Sequence, residues 1–263
     1  MTVLDWLIVT LILAFAMLPL LYARTAGRQV RRRPLPATDT INAALARAAE
    51  TGQPVHVSPG AGSLHGGQPS EIAAESFAGL MLAQRITESA TRRGTPVAAS
   101  SGDAVSHLAL RGMIHATYRD AGYGDDYQSR QIQLLADQDP AAFAAGLANR
   151  YHDQPVEVSV AVGSFGDRYL LAGEQGRQLG VRQVAGTTNV ASLAAAVLTT
   201  NDVLYGEEIY AAEAYVNPSA QGTARLLTHD ALRVLVVVLL VAIVLLAVAR
   251  ELGVLPPALS QLI

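Results

Sequence analysis

Residues 54–71, PVHVSPGAGSLHGGQPSE, decide the fold predicted for the middle of this 263-residue chain. The short run 54–57 predicts a strand, the Gly-rich segment Ser58–Pro69 predicts a loop, and Ser70 with Glu71 begins a long helical pattern. A strand that passes through a glycine-rich loop into a helix is typical of parallel α/β folds. The same succession of strand and helix recurs along the chain.

Strand patterns of three to seven residues alternate with longer helical patterns. The predicted strands after the first are 96–100, 131–136, 156–162, 182–185 and 203–205, and the predicted helices are 41–50, 70–92, 103–121, 140–151, 167–179, 189–199 and 207–215. Such alternation indicates parallel βαβ units, and strands that are apolar on both sides indicate a sheet covered on both faces. We therefore predict an α/β fold, with a doubly wound, mostly parallel sheet of five or six strands flanked by helices, in a domain spanning 38–216.

An apolar run near the start of the chain predicts a transmembrane helix. Residues 6–22, WLIVTLILAFAMLPLLY, hold no charged side chain. Extension to 3–22 gives the length of about 20 residues that crosses a bilayer. A secretory signal peptide is the alternative, but it would begin with basic residues. Because Asp5 is the one charged residue before the run, an uncleaved anchor is predicted.

A second apolar run lies near the other end of the chain. Residues 234–249, VLVVVLLVAIVLLAVA, stand between Arg233 and Arg250, whose side chains can reach the two interfaces of a bilayer. This pattern predicts a transmembrane helix at 231–250, joined to the domain by a linker, 217–230, and followed by a short tail, 251–263. The predicted fold class therefore adds N- and C-terminal transmembrane helices to the α/β domain.

Arginine placement predicts the orientation. Five arginines fall in the linker 23–37, after the first run: Arg24, Arg28, Arg31, Arg32 and Arg33. Because positively charged flanks stay on the cytoplasmic side, we expect a cell-membrane protein with a cytoplasmic domain and both termini outside. The lipid bilayer is then a partner, and these five arginines, with Arg233 and Arg250, are expected at the membrane interface.

Composition excludes several kinds of site. The chain has no cysteine, and all 19 basic residues apart from histidine are arginine. Thiol catalysis, cysteine-based metal sites and lysine-dependent phosphate or Schiff-base sites are therefore excluded. A net charge of −3 gives no reason to expect nucleic acid as a partner. No zinc-protease or nucleophile-elbow motif is present, so no catalytic residue, metal ligand or required cofactor is assigned, although a Ser/His/Asp site assembled from distant segments stays open.

The Gly-rich segment and the ends of the predicted strands supply the candidate ligand-binding residues. In open α/β sheets, ligands bind at the carboxyl ends of strands, where backbone N–H groups and helix N-termini can hold an anion. The candidates are Ser58, Gly60, Gly62, Ser63, Gly66, Gly67, Ser100, Ser101, Asp103, Thr187, Thr188 and Asn189.

Two observations weigh against this interpretation. The spacing of Gly60, Gly62 and Gly66 departs from the dinucleotide fingerprint, and Ser100 and Ser101 stand where an acid would follow the second strand. Ser, Thr, Asn and Asp are also the residues that cap helices. Helix capping, or a structural or subunit-contact role for the loop, is therefore the alternative.

Three longer segments carry a family resemblance. They are RRRPLPATDTINAALARAAETGQPVHVSPGAGSL (31–64), QVAGTTN (183–189) and LYGEEIYAAEAYV (204–216). Together with the terminal apolar run, they make the chain similar to a family of two-span bacterial membrane proteins, mainly from Chloroflexota, that share a domain of unknown function. The resemblance implies an architecture and a membrane location, and it implies no activity.

Two functions from different classes follow. The favoured one is a non-enzymatic membrane scaffold that self-assembles as a homo-oligomer, because the sequence holds no complete catalytic constellation and several helices are rich in Ala and Gly. The alternative is a sensor or enzyme that binds a nucleotide or another small anion through the Gly-rich loop and the strand ends.

Overall fold

A computed structural model describes the backbone of residues 33–64, 69–218 and 220–251, with side chains over the same ranges except at 220, 221 and 242–251. Residues Arg32–Pro218 form one compact unit. The described part of a second unit is one long helix.

The first unit alternates strands and helices in the order predicted. The strands are β1 (Val55–Gly60), β2 (Val97–Ser101), β3 (Ile132–Leu134), β4 (Val158–Ser164), β5 (Arg182–Thr187) and β6 (Asp202–Tyr205). The helices are α1 (Pro36–Thr51), α2 (Ser70–Thr91), α3 (Ala104–Asp120), α4 (Pro140–Asp153), α5 (Tyr169–Gln178), α6 (Val190–Thr199), α7 (Glu208–Ala211) and α8 (Glu213–Val216), with short 3₁₀ helices at Gly124–Asp126 and Ser129–Gln131.

The six strands form one parallel sheet in the order β3-β2-β1-β4-β5-β6. This finding confirms the α/β part of the predicted fold class. The chain runs outward from β1 to β3 and then returns to the centre to place β4 beside β1. Because the direction of winding reverses there, the sheet has a topological switch point between β1 and β4, as in Rossmann-like folds.

The first strand reaches further than the sequence predicts. Residues Ser58 to Gly60, assigned to the loop, continue the pairing of β1 with β4, and the register shifts between Ser58 and Gly60. Proline lacks the N–H that a regular ladder needs, so Pro59 is expected only where the pairing is irregular. The irregularity allows this Pro-Gly pair to belong to a central strand.

Helices cover both faces of the sheet, and each face has its own apolar core. On one face, α1, α2 and α3 bury side chains such as Ile41, Ile86 and Leu110. On the other face, α4 and α5 bury Phe143 and Tyr169, among others. The two-sided burial explains why the strands read as almost continuously apolar segments.

A polar network runs across the second face of the sheet. His56 of β1 lies 2.8 Å through Nδ1 from Ser159 Oγ and 2.8 Å through Nε2 from Ser100 Oγ, and the Tyr151 hydroxyl lies 2.7 Å from Ser159 Oγ. All four side chains are buried. Burial first, and then the charge of Arg150, lower the pKa of His56 well below its usual value. The imidazole is therefore neutral at pH 7 and helps to join three neighbouring elements.

The predicted transmembrane helices require a correction. The second apolar run lies in α9 (Ala220–Glu251), but among the residues described here no helix is both long enough and apolar enough to cross a membrane. Arg225, Asp230 and Arg233 place charges on the first half of α9. A span needs roughly 20 consecutive, mostly apolar residues, and these charges shorten the apolar part of the helix. The transmembrane part of the predicted fold class is therefore wrong for the described chain.

The first predicted span, 3–22, lies outside the described residues. Of the arginines expected at a membrane interface, Arg33 and Arg233 are exposed, and the others fall outside the described side chains: Arg24, Arg28, Arg31, Arg32 and Arg250. The cellular location, the orientation and the bilayer as a partner stay predictions.

Candidate functional site

A cavity of about 350 Å³ opens at the carboxyl edge of the sheet, between the ends of β1 and β4. We call it the switch-point cleft. The elements that line it are the loops after β1, β3, β4 and β5 and the first turns of α2. Its lining residues are Ala61, Gly62, Ser63, Glu71, Ile72, Glu75, Gln138, Pro140, Ser164, Phe165, Gly166, Thr188 and Asn189.

The start of the Gly-rich segment packs directly on the end of β4. A Cβ atom at Gly60 would lie 2.1 Å from the backbone oxygen of Ser164, and one at Gly62 would lie 2.4 Å from Ser164 Cβ. Gly60 also has a φ of +94°, which L side chains rarely adopt. These two glycines are therefore required for the close approach of two backbone segments.

Backbone donors in this segment are used within the protein. The N–H groups of Ala61 and Gly62 donate to the carbonyl oxygen of Ser164 at 2.9 and 3.2 Å, and the N–H of Gly60 donates to Ser58 Oγ at 3.3 Å. A phosphate-binding loop needs such N–H groups to point at the ligand. The N–H groups of Gly60, Ala61 and Gly62 lack that arrangement, while Gly66 and Gly67 lie outside the described residues.

Three helices that begin at the same edge, α3, α4 and α6, have side-chain caps, whereas α2 and α5 begin without one. Asp103 Oδ2 accepts from the N–H of Ser106 at 2.7 Å, Asp139 Oδ1 accepts from those of Ala141 and Ala142, and Asn189 Oδ1 accepts from two N–H groups of α6. A side chain that caps a helix occupies the position that a bound anion would take.

Asp103 also holds the Gly-rich loop. Burial would raise the pKa of this carboxyl, but hydrogen bonds from Ser106, from the Ser63 side chain and from the Leu64 backbone outweigh burial and lower the pKa below its ordinary value. In dinucleotide-binding folds, an acid after the second strand binds the ribose. Here the corresponding acid is occupied by the protein itself.

Glu75 is a residue of the cleft that the sequence did not reveal. Its Oε1 accepts from the backbone N–H of Thr188 at 2.6 Å, from the Thr188 hydroxyl, and from the Thr187 hydroxyl at 3.3 Å. The side chain is only 3% exposed, although it comes from the second turn of α2. Its partners lie more than 100 residues later in the chain, so no local pattern indicates the contact.

The cleft is acidic. Glu71 and Glu75 line it, four residues apart on α2, and no basic residue is among the lining residues that the structure describes. Both charges act on nearby Tyr210, whose pKa is raised first by burial and then by Glu75 and Glu71. Two carboxylates without a basic residue disfavour an anionic ligand and favour groups that donate hydrogen bonds or carry positive charge.

Residues 1–254 match the family described as "Domain of unknown function (DUF6754)". The chain belongs to this family. No curated protein and no solved structure matches the chain. Membership in the DUF6754 family covers nearly the whole sequence but brings no activity, substrate or partner with it. The chemistry of this DUF6754 chain must therefore be argued from the geometry of its cleft.

The candidate residues of the DUF6754 chain divide into three groups. Those that line the switch-point cleft are Gly62, Ser63, Thr188 and Asn189. Those that make other contacts inside the domain are Ser58, Gly60, Ser100, Ser101, Asp103 and Thr187. Gly66 and Gly67 belong to the undescribed part of the loop. The cleft thus combines candidate residues that the sequence predicts with two glutamates of α2 that the sequence did not indicate.

Proposed function

We propose that the domain binds a small uncharged or cationic ligand in the switch-point cleft, and that the ligand donates hydrogen bonds to the glutamates of α2. The observation that carries the proposal is the coincidence of the cavity with the point where the strand order reverses. In open α/β sheets, ligands bind at this point.

Side-chain chemistry supports the choice of ligand class. A hydroxyl or ammonium group can donate to Glu71, which is exposed at the start of α2. Thr188, Asn189 and Gln138 add polar atoms to the lining. A cavity of about 350 Å³ is near the lower end of the range of small-molecule sites, about 300–1,000 Å³. Sugars, nucleosides and small amines fit this description better than nucleotides do.

The test is calorimetric titration of the full chain with adenosine, ribose, glucose and spermidine, each sugar or nucleoside paired with its phosphorylated form. We expect at least one unphosphorylated compound to bind, and its phosphate to bind more weakly, because the cleft repels anions. Tighter binding of the phosphates, or binding of none of the compounds, would contradict the proposal.

Two matched variants test whether the ligand binds in the switch-point cleft. Glu71→Gln removes a charge that lines the cleft and should weaken binding. Glu50→Gln removes an equally exposed charge from the last turn of α1, just before the amino end of β1, and should leave affinity unchanged. Equal effects of the two substitutions would count against the cleft.

Self-association is a second candidate function, and one surface favours it. α6 contains no charged residue, and Val190, Val197 and Leu198, which share a helix face, are 79%, 49% and 71% exposed. Leu198→Glu should shift any oligomer toward monomer in sedimentation velocity experiments. Leu108→Glu, at a leucine of similar exposure (68%) on α3, is the control and should cause no shift.

A further inference from the structure

A second cavity, of about 300 Å³, lies at the opposite edge of the sheet. It is formed where the chain enters β2 and β3, so we call it the amino-edge pocket. Its distinctive lining residues are Thr95, Tyr118, Tyr123, Asp126, Tyr127 and Gln131. It shares no lining residue with the switch-point cleft.

Aromatic rings form much of this pocket. The rings of Tyr118 and Tyr127 lie 6.1 Å apart at an interplanar angle of 64°, and Tyr127 also lies 4.8 Å from the ring of His115. The Tyr118 hydroxyl is held by the backbone N–H of Val97, which donates to it at 3.2 Å. Two steeply inclined rings, with Tyr123 half exposed nearby, give a wall that suits cation–π contact.

Three buried oxygen atoms in lining residues of this pocket have no hydrogen-bond partner among the described residues. They are Thr95 Oγ1, Tyr127 OH and Gln131 Oε1. Buried polar atoms are almost always paired, by protein or by ordered water. All three oxygens can accept a hydrogen bond, so a ligand with N–H donors would satisfy them.

The charge carried by the described lining residues of the pocket is negative. Asp126 is the charged residue that lines it. The pKa of Tyr118 is raised, first by burial of the tyrosine itself and then by the Asp126 carboxylate. Arg92 and Arg93 stand between the lining residues Thr91 and Gly94 and are exposed. Arg150 contacts the segment just before β3, where its Nη2 donates to the backbone oxygen of Gln131 at 3.2 Å. None of these arginines lines the pocket.

We propose that the amino-edge pocket is a second binding site of this protein, specific for a small organic cation of the protonated-amine class. The tyrosine rings attract the positive charge, Asp126 balances it, and the unpaired oxygens accept the ammonium hydrogen bonds. An amine with an apolar body also covers the apolar side chains Ile114 and Ile132 of the lining.

The experiment compares phenethylammonium with its neutral counterpart, 2-phenylethanol, by calorimetric titration of the full chain. We expect the amine to bind and the alcohol to bind roughly tenfold more weakly, because the alcohol keeps the ring and loses the charge. Equal affinities, or no binding of the amine, would overturn the proposal.

Neighbouring acids provide the matched control. Asp126→Asn should weaken amine binding roughly fivefold, since it removes the charge that lines the pocket. Asp125→Asn changes the adjacent residue of the same 3₁₀ helix, which does not line the pocket, and should change nothing. An unchanged affinity in Asp126→Asn would reject the charge-based recognition.

Two further variants separate this site from the switch-point cleft and from general loss of folding. Glu71→Gln should leave phenethylammonium binding intact, and a loss there would assign the amine to the cleft instead. Thr95→Val should weaken amine binding without lowering the thermal midpoint of the free protein, because the hydroxyl it removes has no partner. A Thr95→Val protein that binds the amine as well as the parent would contradict the role given to the unpaired oxygens.

Discussion

The carboxylate of Glu75 accepts the backbone N–H of Thr188 at 2.6 Å, which ties the second helix to the end of the fifth strand. The two residues come from distant segments, which become neighbours because the strand order reverses at the switch point. Their bond fixes one wall of the switch-point cleft, and it gives the first prediction.

Replacement of Glu75 by glutamine should destabilise the domain by about 1–2 kcal/mol, because charge-assisted bonds to Thr187 and Thr188 become weaker neutral ones. Urea unfolding followed by circular dichroism measures the change. Glu71→Gln, at an exposed site on the same helix, should change the free energy of unfolding by less than about 0.5 kcal/mol. Similar values for the two variants would show that the buried contact adds no stability.

The second prediction concerns pH and His56. Burial and the nearby Arg150 lower the pKa of this imidazole in the folded protein, whereas the unfolded chain binds a proton at its ordinary pKa of about 6.5. Stability should therefore fall as pH drops below about 6.5, by up to about 1.4 kcal/mol per pH unit from this group. Urea unfolding at pH 7.5, 6.5 and 5.5 measures the slope.

Two histidine variants identify the source of that slope. His56→Gln should be less stable at pH 7.5, because it disturbs the bonds to Ser100 and Ser159, yet it should have a flatter pH dependence. His152→Gln changes a side chain that is 72% exposed and should keep the slope of the parent protein. A slope that survives in His56→Gln would point to other groups.

The third prediction concerns two helical glycines, whose replacement by alanine should change stability in opposite directions. At Gly79 of α2, a Cβ atom would lie 2.1 Å from the backbone oxygen of Val162, so Gly79→Ala should destabilise the domain by about 1–3 kcal/mol. At Gly112 of α3, a Cβ would meet no atom within 4 Å, so Gly112→Ala should stabilise the domain by up to about 1 kcal/mol. Thermal unfolding of the two variants tests the packing of α2 against β4.

A fourth prediction compares a paired hydroxyl with an unpaired one. Ser159→Ala leaves His56 and Tyr151 without their common partner and should cost about 1–3 kcal/mol of stability. Thr95→Val removes a buried hydroxyl that has no partner among the described residues, so it should cost nothing or stabilise slightly. Chemical denaturation of the two proteins at pH 7.5 distinguishes them, and equal losses would contradict the assignment.

The sequence predicts much of the sheet because buried parallel strands are short apolar runs between helical patterns. Each of the six predicted strands overlaps an observed one; for example, 182–185 falls within Arg182–Thr187. Helix caps are equally local, and Asp103 and Asn189 do cap helices at their predicted starts. What depends on a few neighbouring residues can be predicted from sequence.

Long-range relationships cannot be predicted from a few neighbouring residues. The order of the strands, and hence the position of the switch point, is set by how helices pack on the sheet rather than by any one segment. The contact between Glu75 and Thr188 spans 113 residues. The Gly-rich segment indicates anion binding only if its N–H groups are free, and no local pattern indicates the bonds of Ala61 and Gly62 to Ser164.

Those bonds to Ser164 decide how selectivity can arise in this protein. The N–H groups of Gly60, Ala61 and Gly62 are already bonded within the protein, so this described part of the loop offers no main-chain site for a phosphate. Discrimination in the cleft must then come from side chains, chiefly Glu71, Thr188 and Asn189. A single substitution changes a side chain but leaves a main-chain cradle as it was. Members of one family could therefore share this backbone and still differ in what they recognise.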